Sequence, residues 1–255
     1  MHWQAEIVYL NVGLTVALLW RIWMARLAGV YRLFYFYLSV DSVYTVVQLM
    51  EKPGTNIYAQ TYFGGQAVKI IIAAFVLVEI YSRALENTPA LAQYVRNSVA
   101  YILGAAALIP VAMVLWDRAP SGGGTLHYYY LFEQTMSATM ATFLIFLSLF
   151  LAYFPVKLKR NVFCYSSGFI VWALTHSAGT FLMNRYSNNE PAEDMVNLVQ
   201  SCVQGACLLY WMAGFRSDGE SRTAVVGHLW SRAEAERLSH QLESINDSLE
   251  RLRKR

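Results

Sequence analysis

Charge is what this sequence has least of. Asp, Glu, Lys and Arg make up 15% of its 255 residues, against 56% hydrophobic ones, where a soluble globular domain carries roughly 25% charge. That balance excludes an ordinary water-soluble domain, and a formal net charge of +3 implies no nucleic-acid partner. Cysteine is equally sparse: Cys164, Cys202 and Cys207 all fall in apolar runs, so they read as small packing residues and not as a disulfide framework. The sequence has no phosphate-cradling glycine loop, no zinc-ligand spacing and no nucleophile elbow. No catalytic residue, metal or cofactor is therefore expected, and the chain does not read as an enzyme. The last apolar run lacks a lysine for a retinal Schiff base. The first has no basic segment before it and no small-residue cleavage site after it, so it reads as a retained span.

What the sequence does have is apolar length. Seven stretches, at 7–23, 33–50, 57–81, 99–116, 128–154, 162–183 and 195–215, approach the roughly 20 residues that a helical span needs. The runs are continuous and not alternating, which favours helices over an outer-membrane barrel. Arg21, Arg26, Arg32, Arg83, Arg96, Lys157, Lys159, Arg160 and Arg216 cluster on one side, against Lys52, Arg118 and Arg185 on the other. Basic residues favour the cytoplasmic face, so the amino terminus is expected outside. The expected fold is all-α: a seven-transmembrane-helix bundle over 1–216, a polar linker over 217–224, and a cytoplasmic amphipathic, coiled-coil helix over 225–255.

In that tail Leu238, Leu242, Ile245, Leu249 and Leu252 repeat with spacing four, three, four, three, an a/d seam. The stripe weakens backwards through Ala235, Ser231 and His228. Asp247 with Arg251 and Glu250 with Lys254 add helix-supporting pairs. So short a seam needs a second strand, from another copy of the chain or from a protein partner. The alternative is an amphipathic helix on the inner leaflet, with Arg253, Lys254 and Arg255 on anionic lipid.

Ionisable side chains inside spans are costly and carry the functional candidates. Asp41 and Lys69 lie halfway along the second and third runs, so a buried ion pair is expected, as a clamp or as part of a relay. Glu79 is expected to pair locally with Arg83. A polar layer gathers in the outer half of five runs: Tyr44, Gln48, Gln60, Gln66, Glu133, Gln134, His176, Gln200 and Gln204. It reads either as an outward-facing pocket for a small polar ligand or as interhelical hydrogen bonding. His176 alone, with His2 and His127 remote, makes no metal site. Gly179, and the small residues at 104–107 before Pro110, permit close helix contact and a kink.

The loop Arg83-Ala84-Leu85-Glu86-Asn87-Thr88-Pro89-Ala90-Leu91, Gly168, Ser177-Ala178-Gly179 and the coiled tail together resemble the seven-span input modules of bacterial sensor histidine kinases. The chain is also similar to an uncharacterised family of seven-span bacterial membrane proteins. A sensor kinase would continue into a histidine-bearing dimerisation helix and an ATP-binding domain, whereas this sequence stops at Arg255. The resemblance thus implies a multi-pass protein of the bacterial inner membrane, a sensing or scaffolding body without its own output enzyme. The functional expectation is a sensor or scaffold that binds a small ligand in the outward pocket and signals through its tail. The alternatives are an ion, proton or small-solute transporter or channel, and an accessory subunit of a larger membrane complex.

Overall fold

The structure, a computed structural model, describes residues 2–51, 56–86, 88–116, 125–154, 156–186, 190–221, 223–226 and 232–253. Nearly all of them are helical. The helices are α1 (His2–Met24), α2 (Arg32–Met50), α3 (Asn56–Ala84), α4 (Pro89–Trp116), α5 (Thr125–Tyr153), α6 (Arg160–Arg185), α7 (Glu190–Gly214) and α8 (Arg232–Arg253). Each of the first seven packs on its sequence neighbour, and α7 returns to α1. α3 touches α2, α4, α5 and α6, which makes it the central helix. Its Ala73, Val76, Leu77 and Ile80 are buried in the core.

Four helices are long and apolar enough to cross a membrane: α1, α2, α3 and α5. α4, α6 and α7 are as long. In α6 and α7 polar side chains dilute the hydropathy, among them Thr175, His176, Asn197, Gln200, Ser201 and Gln204, and these line a cavity. The outer surface is the reverse of a soluble protein's, with Trp20, Trp23, Phe36, Val43, Phe75, Phe146, Leu149 and Leu209 exposed. Such a belt suits a hydrocarbon solvent.

α1 ends at the one non-glycine residue with positive φ among the described residues, Arg26 at 57°. Leu27 N–H donates to Ile22 O and Arg26 N–H to Trp23 O. These are the two bonds of a Schellman turn, and they reverse the chain sharply into α2.

The tail differs from expectation at its start. Residues 225 and 226 are not helical but lie in strand β2 (Thr223–Val226), antiparallel to β1 (Val156–Lys159), with Val156 opposite Val226 and Lys159 opposite Thr223. β-branched Thr223, Val225 and Val226 favour a strand when a free edge is at hand, and the helical stripe had already faded by His228. The seam residues Leu238, Leu242, Ile245 and Leu249 all lie on α8. Leu238 is buried and Leu242 packs against the bundle core, while Ile245 is exposed. The tail thus spends part of its seam on its own body, at the start of α4. The side chain of Leu252 lies outside the described residues, as do Lys52, Arg118 and the 121–124 link.

Candidate functional site

Asp41 and Lys69 meet as the sequence leads one to expect. Asp41 is buried, and Lys69 Nζ stands 2.5 Å from its Oδ1, close as an ion pair but not aligned as a hydrogen bond. Gln204 Nε2 donates to the other carboxylate oxygen at 3.2 Å. Lys69 Nζ also lies 4.8 Å from the centre of the Tyr44 ring, a cation–π contact. The Tyr44 hydroxyl donates to Tyr62 O at 3.3 Å. Three helices thus converge on one charge pair: Asp41 and Tyr44 from α2, Lys69 from α3 and Gln204 from α7.

A second polar pair sits on the α5–α6 side. Buried Glu133 Oε1 lies 3.0 Å from His176 Nε2, within ion-pair distance, and the imidazole stacks on Trp172 at 5.3 Å and 8°. Gln200 Nε2 reaches His176 O at 3.4 Å. That contact depends on Gly179: a Cβ there would stand 1.9 Å from Gln200 Nε2. Gly168 makes the same allowance for Trp211. Gly104, expected at a close contact, faces open space instead.

These groups border two cavities. The larger, of about 470 Å³, lies between α1, α2, α3 and α7 and is lined by Asn11, Thr15, Asp41, Ser42, Tyr44, Gln48, Tyr58, Tyr62, Gln66, Asn197, Ser201 and Gln204. The smaller, of about 130 Å³, holds Tyr37, Gln66, Lys69, Trp172, Thr175, His176, Gln200 and Gln204. Of the expected layer, Tyr44, Gln48, Gln66, His176, Gln200 and Gln204 therefore line a cavity, and Glu133 holds His176 in place. Gln134 lines neither, and the side chain of Gln60 lies outside the described residues.

Sequence reasoning missed Asn11, Ser42, Tyr58, Tyr62, Asn197 and Ser201. A signal existed in α7, where Asn197, Ser201 and Gln204 recur at helical spacing. Asn11 and Thr15, four residues apart in an otherwise apolar helix, were another. Asn11 Nδ2 donates to Ser201 O at 2.9 Å, but its Oδ1 has no hydrogen-bond partner among the described residues, nor do the buried Ser42 Oγ and Gln48 Nε2.

Toward the tail the interior is filled by aromatic rings. Tyr165, Phe169, Trp172 and His176 form one stripe down α6, at spacing four, three, four. Phe34 packs on Tyr165 at 4.7 Å and on Trp211 at 4.9 Å, and Tyr31 on Phe215 at 5.4 Å. Below this plug the expected linker is a docked turn, Ser217–Glu220. Asn161 Nδ2 donates to Arg216 O at 2.8 Å and to Glu220 Oε1 at 3.0 Å, and Tyr31 OH donates to the same oxygen at 2.6 Å. Arg21 grips Phe215 O. Gly219 is buried against Asn161, and a Cβ there would stand 2.1 Å from Asn161 Oδ1.

Glu79 is not tied to Arg83 as expected. Its carboxylate accepts the backbone N–H groups of Leu33 and Phe34, at 3.2 and 3.1 Å, and the Tyr165 hydroxyl at 3.2 Å. The start of α2 offers unpaired N–H donors, which a carboxylate satisfies better than a local partner can. Arg83 instead donates to Val30 O at 2.6 Å. Among the thiols, Cys164 and Cys207 are buried as expected, whereas Cys202 is exposed on the outside of α7.

Comparison with protein-family models, curated proteins and solved structures returns no match.

Proposed function

We propose that the chain is a seven-span membrane protein, amino terminus outside and tail in the cytoplasm, that binds a small ligand in the larger cavity and passes its occupancy to the tail. The observation that carries this reading is the contrast between the two ends of the interior. Asn11, Asp41, Gln48, Gln66 and Asn197 line a cavity of about 470 Å³ at the amino-terminal end, within the ~300–1,000 Å³ usual for ligand pockets. At the tail end, Phe34, Tyr165, Trp211 and Phe215 close the bundle. A blind polar pocket serves a receptor, whereas a transporter or channel needs a path through.

The route to the tail is the same aromatic column. It starts at His176 beside the smaller cavity, descends α6 to Tyr165, and meets Tyr31, which holds Glu220 of the docked turn. Gln66 and Gln204, which line both cavities, would pass a shift on binding to Trp172 and Tyr37 beside the smaller one, repacking rings that have few alternative arrangements. On this reading the part of the tail seam left exposed, with Ile245, engages a second copy or a soluble partner.

The test uses single cysteines in a background without Cys164, Cys202 and Cys207. Asn197→Cys is expected to react with a membrane-impermeant maleimide from the outside alone. Equal labelling from the cytoplasmic side would replace the receptor by a transport path.

A further inference from the structure

We propose that the larger cavity takes a neutral polyhydroxylated ligand, of sugar or polyol chemistry. This rests on the reading of that cavity as the ligand pocket, and adds what the ligand must be. Charge decides the first half. The cavity's one carboxylate among the described residues, Asp41, is already matched by Lys69 at 2.5 Å and Gln204 at 3.2 Å. A cationic ligand seated on Asp41 would displace Lys69 and leave a buried ammonium unpaired. An anionic ligand drawn to Lys69 would strand Asp41 in the same way. Either costs several kcal/mol, whereas a neutral ligand leaves the pair whole.

Hydrogen bonding decides the second half. Apart from the ion-paired Asp41 Oδ1, three buried atoms on cavity-lining side chains lack hydrogen-bond partners among the described residues: Asn11 Oδ1, which only accepts; Gln48 Nε2, which only donates; and Ser42 Oγ, which does both. An ammonium could serve the first but not the second, and a carboxylate the reverse. Hydroxyl groups, each both donor and acceptor, match all three once those side chains turn toward the cavity. On the facing side Tyr58 and Tyr62 are stacked at 6.3 Å and 17°, and both line the cavity. They supply aromatic surface of the kind against which the C–H face of a sugar ring packs. The amides of Gln66 and Asn197 add further two-way partners.

The full chain is reconstituted in nanodiscs, since glycoside detergents carry the proposed headgroup. Equilibrium dialysis then compares labelled glucose, trehalose and myo-inositol with choline, putrescine and glutarate. The expected result is saturable binding of at least one polyol, unchanged by salt and weakened about 10-fold or more in Gln48→Leu, the scale of about one lost hydrogen bond. Tyr62→Ala, checked for an unaltered melting temperature, is the second variant and is expected to weaken binding likewise. Saturable choline or glutarate binding without polyol binding overturns the neutral class and leaves the pocket standing. Absence of binding by every probe overturns the proposal, while labelling of Asn197→Cys still decides separately whether the pocket opens outward.

Discussion

Asp41 and Lys69 form a partition. Asp41 lines the larger cavity and Lys69 the smaller, and the 2.5 Å contact between them divides the polar interior in two. Removing one partner leaves the other charge buried, which typically costs ~3–5 kcal/mol. Lys69→Met is therefore expected to lower thermal stability severely in nanodiscs. The double variant Asp41→Leu with Lys69→Met is expected to recover most of the loss, because no buried charge remains. If Lys69→Met melts like wild type, the pair is not holding α2 to α3.

Gly179 faces Gln200, and Gly168 faces the indole of Trp211, whose Nε1 would stand 2.4 Å from a new Cβ. Trp211 sits in the plug and is buried, so it has little room to retreat. Gly168→Ala is expected to cost ~1–3 kcal/mol, the scale of overpacking. Gly104→Ala, with nothing within 4 Å, serves as the control and is expected to be neutral. Paired melting curves check both, and an equal loss at Gly104 would show that helix substitution alone, not the contact, is responsible.

The apolar runs and the two ion-bearing positions were legible in the sequence because membrane depth follows directly from residue count. Asp41 and Lys69 sit at matching positions in adjacent antiparallel helices, so their meeting needed no further information. The polar layer was legible as a layer, but which members face one cavity depends on helix rotation. Asn11 illustrates this, since an amide within the apolar run of α1 becomes a site residue only once α7 brings Ser201 against it. The tail end was hidden for another reason. Glu79 and Asn161 act on backbone groups 45 and 55 residues away, and Glu220 on side chains 59 and 189 residues away, and such partners have no local pattern. The β1–β2 pair was missed because four-residue strands form only where the chain offers each an edge.

Tyr31 lies at the turn before α2, and its phenol is pushed well above the ordinary 10.0 by burial and by the Glu220 carboxylate it donates to. The folded state therefore holds this proton more tightly than the unfolded chain does. The contribution of Tyr31 to stability is complete below about pH 10, where both states are protonated, and declines as pH rises beyond it and the unfolded phenol ionises. Tyr31→Phe, which deletes a hydrogen bond to a charged group, is expected to cost ~1.5–3 kcal/mol at neutral pH. The gap between wild type and variant is expected to narrow in alkaline melts. A gap that widens with pH would show that the phenol is not the donor.

Asn246 caps a helix to which it does not belong. Its Oδ1 accepts the N–H of Ala90 at 3.1 Å and of Leu91 at 3.3 Å, two of the orphan donors at the start of α4. Together with buried Leu238 and half-buried Leu242, this single oxygen fixes where α8 sits. A cap of this kind is worth ~1 kcal/mol, enough to shift a local docking equilibrium about fivefold without unfolding the bundle. Asn246→Ala is expected to speed amide exchange throughout α8, and at Ala90 and Leu91, while leaving α2 and α3 unchanged. Asn246→Asp keeps the acceptor, adds a negative charge favoured at a helix start, and is expected to protect α8 at least as well as wild type. If both variants exchange like wild type, the tail is held by its leucines alone. If Asn246→Ala instead destabilises α3 along with α8, the tail is a structural part of the bundle and not a separable lever.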